Sequence, residues 1–450
     1  MHEPKQHAVE IVQRLRGRGH KAYLVGGCVR DLLLGREPAD FDVATDATPE
    51  QVMRIFPETY AVGAQFGVVL VPGAGGNNDH LVEVATFRSD LGYSDGRHPD
   101  QVRFSNDPEE DVCRRDFTIN GLLLDPITDQ VLDFVGGRQD IEAELIRSIG
   151  NPEARFTEDK LRMLRAIRFA ARFDYVIEPG TFAAIQKLAS NILQVSRERI
   201  RDELTRILTE GHARRGFLLL DESGLLHELL PEIEAMKGVA QPPQFHPEGD
   251  VFVHTLLLLQ HLPNPCSPTL AWGALLHDVG KPPTFRVAPD RIRFDDHVEV
   301  GVRIAEDICH RLRFSNEDTK QILALVDNHM RFADVQRMKE STFKRFVRLP
   351  HFGEHLELHR LDCLASHGDL SLYEFTHEKR AAMPQSVMRP APLLSGDDLI
   401  STGYKPGPQF KQILTAVEDG QLDGRLQTKN EAMQMVLREF PLSSSTEAPS

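Results

Sequence analysis

No apolar run in this 450-residue chain approaches the ~18 residues that a membrane-spanning helix needs. Cysteine is scarce too. The five residues (Cys28, Cys113, Cys266, Cys309 and Cys363) are scattered, and no C-x-x-C occurs. That argues against a zinc ribbon or a disulfide framework and suits the cytosol. Positive charge is in deficit: 52 Lys and Arg stand against 67 Asp and Glu, a formal net charge of −15. Non-specific nucleic-acid binding by the whole surface is disfavoured, and only a local basic groove stays open. The opening MHEPKQHAVEIVQRLRGRGH is charged and has no apolar core, so no secretory signal is visible. G-x-x-x-x-G-K-[ST] is absent, which excludes a P-loop, and no G-x-G-x-x-G follows the first strand-like run. A hydrophobic content of 41% fits a globular chain long enough for about two to four domains.

What is present begins at residues 23–45, YLVGGCVRDLLLGREPADFDVAT. A short apolar strand leads into Gly26-Gly27, then a helix-like run, then Asp40 and Asp42 around Phe41. In a strand, residues i and i+2 share a face, so the two carboxylates would stand side by side. Such a pair is tolerated where it faces water or holds a cation. Taken alone, D-x-D is most often a pair of solvated acids, and a glycine pair most often a turn. Taken together, a glycine turn ahead of a helix offers backbone N–H groups to phosphates, and Arg30 adds a fork of donors. The acidic pair suits Mg²⁺, a hard cation that prefers oxygen ligands. Phosphate plus Mg²⁺ points to a nucleotide.

Residues 1–145 read as mixed helix and strand. KAYLV, FDVAT, FGVVLV and HLVEVATF are expected strands, with GAGGNND (73–79) a hairpin turn between the last two. Residues 89–111 lack periodicity and read as a long functional loop. From about residue 155 the pattern is helical. VAQPPQFHPEGD (239–250) reads as a domain boundary, MPQSVMRPAPLLSG (383–396) as a linker and SSSTEAPS as a disordered tail.

Two further stretches carry charge in a pattern. RRDFTINGLLLD (114–125) sets Arg114, Arg115, Asp116 and Asn120 before an apolar run, and its plain reading is a helix opened by Asp116. TEDKLRMLRAIRFAARF (157–173) reads as one helix with Arg162, Arg165, Arg168 and Arg172 on a broad face. Glu158 and Asp159 are spaced to pair with Arg162. Four arginines exceed those two carboxylates, and the surplus suits an anionic partner.

These motifs resemble those of class II tRNA nucleotidyltransferases and bacterial poly(A) polymerases, within the polymerase-β-like nucleotidyltransferase superfamily. The matching segments, in order, are GGCVRDLLLG with DFD, then RRDFTIN (114–120), DFVGGRQDI (133–141), EDKLR (158–162) and VSRERIRDELTRIL (195–208). The resemblance implies that Asp40 and Asp42 hold two Mg²⁺ ions for two-metal phosphoryl transfer. It implies a third carboxylate, for which Glu83 is proposed and Glu58 is not distinguished by spacing. Gly26, Gly27 and Arg30 would bind the triphosphate. Asp116 and Asn120 would meet the ribose, and Arg114 or Arg115 a phosphate. Asp159 and Arg162, next to Glu158, would read the base, with Arg165 and Arg168 toward phosphates. A carboxylate beside a guanidinium offers an acceptor and a donor in one plane, which suits cytosine and adenine. The implied partners are CTP, ATP and the 3′ end of tRNA, with no membrane. Retention of the 89–111 loop favours CCA addition, then A addition, then poly(A) synthesis.

A second constellation follows residue 240: His254, His277-Asp278 and Asp362, each on a helical segment. HDVGK (277–281) resembles the signature of HD-domain phosphohydrolases. Imidazoles with carboxylates suit a divalent metal, Ni²⁺ or Mn²⁺ among them, and His297 with His329 could complete a second position. The competing reading is a degenerate HD fold kept as an RNA-binding body.

The expected architecture is therefore α+β. A small polymerase-β-like head with a mixed or antiparallel sheet (1–145) precedes a helical neck (146–240), an HD domain (241–375) and a helical tail (391–440), with 441–450 disordered. The rival from another class is an HD metal phosphohydrolase with an inactive nucleotide-binding head. A non-catalytic RNA-binding module is a further rival.

Overall fold

The computed structural model describes residues 3–61, 67–73, 77–91, 101–242, 249–289 and 291–442. Chain contacts divide it into two compact units. The first comprises residues 1–235, 262–268 and 310–314, and the second comprises the remainder. Among the described residues, no helix is long and apolar enough to cross a membrane.

The first unit opens with α1 (Glu3–Gly17), β1 (Ala22–Val25), α2 (Gly27–Leu33), β2 (Asp42–Thr45) and α3 (Pro49–Ile55). It continues through β3 (Val68–Gly73), β4 (Asn77–Thr86), β5 (Arg88–Leu91), β6 (Gln101–Phe104), α4 (Pro108–Cys113), β7 (Leu122–Asp125) and β8 (Gln130–Asp133). Six strands form one sheet in the order β3-β4-β2-β1-β7-β8. It is mixed, as anticipated: β2 and β4 run parallel, and the other neighbours are antiparallel. Alternation sorts the side chains into two layers. Leu24, Val43, Val84 and Leu122 pack with Ile11 and Leu15 of α1, while Val25, Ala44 and Leu123 pack with Phe87 and Val112 on the other face.

Several local expectations are corrected. The proposed loop over 89–111 is in part ordered: β5 and β6 pair antiparallel, and α4 starts at Pro108 with Asp107 as its cap. Its middle, 92–100, lies outside the described residues, as do 74–76 of the expected hairpin turn, 243–248 of the expected boundary and 443–450 of the expected disordered tail. The apolar run after Asn120 is not a helix opened by Asp116. A single 3-10 turn, Thr118–Asn120, leads into β7 beside β1 in the middle of the sheet. A run this short and this apolar fits a fully buried strand as well as a helix, and only its neighbours decide.

Helices then dominate: α5 (Gly137–Glu142), α6 (Pro152–Glu158), α7 (Leu161–Phe173), α8 (Pro179–Leu188), α9 (Arg197–Thr209), α10 (Ala213–Glu222), α11 (Leu225–Leu229) and α12 (Pro231–Glu234). The 157–173 segment is two helices, not one. Asp159 between them is extended, at φ −135° and ψ 104°.

The second unit contains α13 (Val251–Gln260), α14 (Pro268–Leu276), α15 (Lys281–Thr284), α16 (His297–Arg311), α17 (Asn316–Asn328), α18 (Glu340–Phe346) and α19 (Phe352–Ala365). Helices Gly396–Ser401, Pro408–Leu422 and Lys429–Glu439 build a cluster around Leu399, Ile413 and Val436. The stretch read as a linker holds a short helix, Gln385–Met388.

Gly280, in HDVGK, marks a close approach of backbones. A Cβ there would lie 2.0 Å from the His297 carbonyl oxygen and 2.6 Å from Gly301 N. Backbone cannot swing aside as a side chain can, so Gly280→Ala should cost about 1–3 kcal/mol or more. Gly353, with open space around it near the start of α19, is the control. Gly353→Ala should gain up to about 1 kcal/mol through helix propensity. Thermal unfolding is expected to show a lower midpoint for the first variant and an equal or higher one for the second.

Candidate active site and metal cluster

The head cleft starts from strand register. Val25 of β1 lies opposite Asp42 of β2, and Asp42 lies opposite Glu83 of β4. The first pairing brings the end of β1, and with it Gly26-Gly27, to the start of β2. Gly26 has φ 78° and ψ −132°, a conformation that suits glycine. Arg115 lies over it, with Nη1 3.2 Å from where a Cβ would be. The second pairing sets the Asp42 and Glu83 carboxylates side by side, since cross-strand neighbours share a face. Glu58 lies elsewhere, in a hollow with His7, Glu10 and Arg14. Asp40 is exposed just ahead of the strand, which begins at Asp42. Burial, and then the charges of Glu83 and Asp40, push the Asp42 carboxyl up to about 7. Mutual repulsion of this kind is what a bound divalent cation relieves.

A cleft of about 360 Å³ opens here. Of the residues singled out in the sequence, Gly26, Gly27, Asp42, Arg114, Arg115, Asp116, Asn120, Asp159, Arg162 and Arg165 line it. Arg114 and Arg115 are steered by Asp111, which is fully buried and accepts from both at 2.7 and 3.0 Å. Burial opposes ionisation of Asp111, but Arg115 and Arg114 outweigh it and hold its carboxyl below the usual range. Asp116 is set by Arg165 at 2.6 Å, by Asn120 Nδ2 at 3.1 Å and by Phe117 N at 2.8 Å. Against its burial, these bring the carboxyl down to about 2.

Other residues stand differently from expectation. Arg30 does not line the cleft. It is buried beneath it, donates to Asn120 Oδ1 at 2.6 Å and to Asp31 at 2.9 Å, and lies over the Phe173 ring. Arg168 is buried and bound to Glu203 at 2.8 Å and Glu210 at 3.1 Å, so it does not point toward phosphates in the cleft. Glu158 holds Arg155 and Arg162 at 2.8 and 3.0 Å. The inferred surplus of arginine charge on α7 is therefore corrected. Asp116, Glu203 and Glu210, from other segments, supply partners that local spacing does not reveal. Asp159 pairs with Arg199 at 2.9 Å rather than with Arg162, whose Nη2 donates to the Arg114 carbonyl at 3.0 Å. Arg199, absent from the candidates although it lies within VSRERIRDELTRIL, also lines the cleft.

The second unit holds a tighter cluster. His254 (α13), His277 after α14, and Asp362 (α19) have one ligand atom each within 4.8 Å of one another, and so do Asp278, His297 and His329. The head carboxylates are not among the groups gathered this closely. His254 Nε2 is 3.3 Å from His277 Nε2 and 3.1 Å from Asp362 Oδ1. His277, His297 and His329 each turn Nδ1 to a backbone carbonyl, of Ala274, Phe294 and Val326, at 2.7–2.9 Å. A carbonyl only accepts, so these Nδ1 atoms carry the protons and each Nε2 presents a lone pair to the cluster. Nε2 of His297 and of His329 is buried with no hydrogen-bond partner. Burial lowers the His329 imidazole to about 4 and lowers His297 as well. Although burial opposes it, Asp278 stays ionised well below the usual range because of Lys281, 2.7 Å away, and the neighbouring imidazoles. Neutral imidazoles and ionised carboxylates are the forms that bind metals. A cavity of about 490 Å³ adjoins the cluster, with Arg291, Arg293, Phe294 and Met330 in its wall.

Comparison with known proteins finds family matches over both regions. Residues 22–147 match the model of the poly A polymerase head domain, 174–237 that of a probable RNA and SrmB-binding site of polymerase A, and 252–360 that of the HD domain. The chain is 30% identical over 438 residues to a CCA-adding enzyme of Lactobacillus helveticus, covering 96% of each. It is 44% identical over 225 residues to that of Geobacillus stearothermophilus, covering 50% of this chain and 54% of the relative. The chain thus spans about half the length of several curated relatives that it matches at higher identity. Among solved structures, the Bacillus stearothermophilus CCA-adding enzyme in complex with CTP aligns over 98% of both chains, with a TM-score of 0.72 and 28% identity. The Thermotoga maritima CCA-adding enzyme complexed with tRNA shares the fold, with a TM-score of 0.58 and 20% identity over 96% of this chain and 94% of that one.

The elevated Asp42 carboxyl makes a prediction about stability. Its folded-state value of about 7 lies above the ordinary 3.8 of an unfolded chain. The contribution of this group is complete below the unfolded value and is lost as pH rises through about 7. In the presence of a chelator, Asp42→Asn is expected to melt several degrees above the parent at pH 8 and to show no such advantage at acid pH. Added divalent cation should close the gap by raising the parent. Calorimetry that finds no advantage for the variant at pH 8 would contradict the raised carboxyl.

Proposed function

This chain belongs to the family of CCA-adding enzymes, and from that premise we propose that it extends the 3′ end of tRNA without a nucleic-acid template. In this reading it adds CCA, or the terminal A, from CTP and ATP in the cytoplasm. The primer 3′-oxygen replaces pyrophosphate on the α-phosphorus of the incoming nucleotide. The observation that carries the proposal is the convergence on one cleft of a glycine turn, an acid-lined strand end and the Asp159 and Arg162 side chains. Three requirements, phosphate binding, metal binding and base selection, are then met by neighbouring groups.

Asp40, Asp42 and Glu83 would hold divalent cations, Mg²⁺ by their hard oxygen chemistry. Cations held there would supply charge neutralisation at the triphosphate and acidify the primer hydroxyl. The remaining work falls to the chain itself. Gly26 and Gly27 lend backbone N–H groups and closeness, and Arg114 and Arg115 bring positive charge to the triphosphate. Asp116 and Asn120 take the ribose. Asp159 and Arg162 meet the base edge. Arg30 and Arg168 act beneath the cleft, as anchors of Asn120 and of α9.

For the second cluster we propose metal-dependent hydrolysis of phosphomonoesters or 2′,3′-cyclic phosphates. His254, His277, Asp278 and Asp362 would hold a divalent ion such as Ni²⁺ or Mn²⁺, and His297 with His329 would serve a second position shared with Asp278. The corresponding division of labour is a nucleotidyltransferase head (1–145), a base-reading neck (146–240), an HD domain (241–375) and a helical tail (391–440).

The decisive assay supplies tRNAs truncated at successive 3′ positions with CTP and ATP, separately and together. Ordered C, C and A incorporation is expected, and no incorporation into any primer would overturn the reading. Asp42→Ala should cut incorporation by roughly 100-fold or more, the scale of losing a key electrostatic group. Asp278→Ala should abolish hydrolysis of a cyclic nucleotide across a panel of divalent metals while leaving nucleotide addition largely intact. A wild-type protein that neither binds metal nor hydrolyses under any of these conditions would make the second cluster a scaffold.

A further inference from the structure

A backbone N–H and a guanidinium bound to Asp159 set the direction in which its carboxylate faces. Oδ1 accepts the Leu161 N–H at 3.1 Å, a bond made possible by the break between α6 and α7. Oδ2 accepts Arg199 Nη2 at 2.9 Å. Arg199 comes from the first turn of α9, 40 residues further along the chain. Its own position is secured one turn on, where Glu203 binds Arg168 at 2.8 Å and where Ile200 and Leu204 are fully buried. Both Arg199 and Asp159 line the cleft and keep only modest exposure, 23% and 16% of the side chain. Screening by water is correspondingly weak, and a charge-assisted bond at this distance is among the stronger ones.

Each carboxylate oxygen has two acceptor sites. With one on each oxygen filled by Leu161 N and Arg199, the rotation of the group is fixed and one acceptor site on each oxygen is left. Arg162 contributes differently. Its Nη1 donates to Glu158 and to the Arg155 carbonyl, and its Nη2 to the Arg114 carbonyl, at 3.0–3.3 Å. It is seated by its own set of acceptors and does not hold Asp159.

Resting on the functional reading above, we propose that Arg199 is a positioning residue for base selection, acting through Asp159. The chemistry of the bases gives the reason. Cytosine and adenine both present an amino donor beside a ring-nitrogen acceptor. Uracil and guanine present a carbonyl acceptor beside a ring N–H donor. A carboxylate locked with its free acceptor sites toward the cleft rewards an amino group and repels a carbonyl oxygen. A carboxylate free to turn can move aside, and the repulsion is lost. Arg199 thereby enforces rejection of the wrong base more than it promotes the reaction.

The test measures kcat and KM for CTP, ATP and UTP on a matched tRNA primer. Five proteins are compared: the full-length parent, Arg199→Ala, Arg199→Lys, Asp159→Ala and the Arg199→Ala/Asp159→Ala double variant. Arg199→Ala should lower the CTP-over-UTP ratio of kcat/KM by roughly tenfold or more, the worth of one hydrogen bond to a charged group. Most of the change should appear as a lowered KM for UTP, with smaller changes for CTP and ATP. Arg199→Lys should recover part of the ratio, because an ammonium can still bind Oδ2. The double variant should discriminate no worse than Asp159→Ala alone, because both changes act on one carboxylate. An unchanged CTP-over-UTP ratio in Arg199→Ala, or a double variant whose loss is the product of the single losses, would overturn the inference while leaving the functional reading standing. A parent that adds no nucleotide to any primer would overturn the functional reading and this inference with it.

Discussion

The head depends on the register of three strands. Val25 opposite Asp42, and Asp42 opposite Glu83, put a glycine turn and two carboxylates at one end of one sheet. Side-chain direction alternates with a period of two, so a one-residue slip would turn Asp42 into the core layer and bring Val43 to the cleft. Burial of Val43 and Val84 on the α1 side and of Ala44 on the other makes that slip costly. The hydrophobic layers thus hold together two acids that repel each other. Burial first, and then the charges of Glu83 and Asp40, raise the Asp42 carboxyl.

Arginine placement follows a second rule, that a buried guanidinium takes a carboxylate with it. Arg165 bridges Asp116 and the vicinity of Glu203, and Arg168 continues to Glu203 and Glu210. These pairs run from the cleft to the far end of α9 and fix how α7 and α9 pack. Most of the arginine stripe on α7 is thereby structural. The groups in the cleft with a role left to fill are those whose partners merely orient them: Arg114 and Arg115 on Asp111, and Asp159 on Arg199.

In the second unit, imidazole orientation does comparable work. Backbone carbonyls take the Nδ1 protons of three histidines, and their Nε2 lone pairs converge. Gly280 lets the backbone after the His277-Asp278 pair come against the start of α16, which brings His297 within reach of Asp278. The sequence HDVGK therefore encodes two candidate metal ligands, a close approach and a nearby cation in five residues.

Much of this was readable before any fold was known. The four expected head strands, the α+β class, the acidic pair and the His-Asp set depend on local pattern, and local pattern is what a sequence states directly. Strand β7 was not legible because its short apolar run reads as helix or strand alike, and β5 and β6 lie in a polar, Gly- and Pro-containing stretch with no period to count. Glu83 could not be separated from Glu58 either, since no spacing along the chain encodes which strand lies beside β2. Register across the sheet puts Glu83 beside Asp42, and ion pairs between residues 35–49 apart took Arg165 and Arg168 out of the apparent charge surplus. Residue order states which chemical groups the chain carries and, through local pattern, on which kinds of element. Which of those groups meet is a property of the fold, because pairing between distant segments is set by burial and packing geometry rather than by order along the chain.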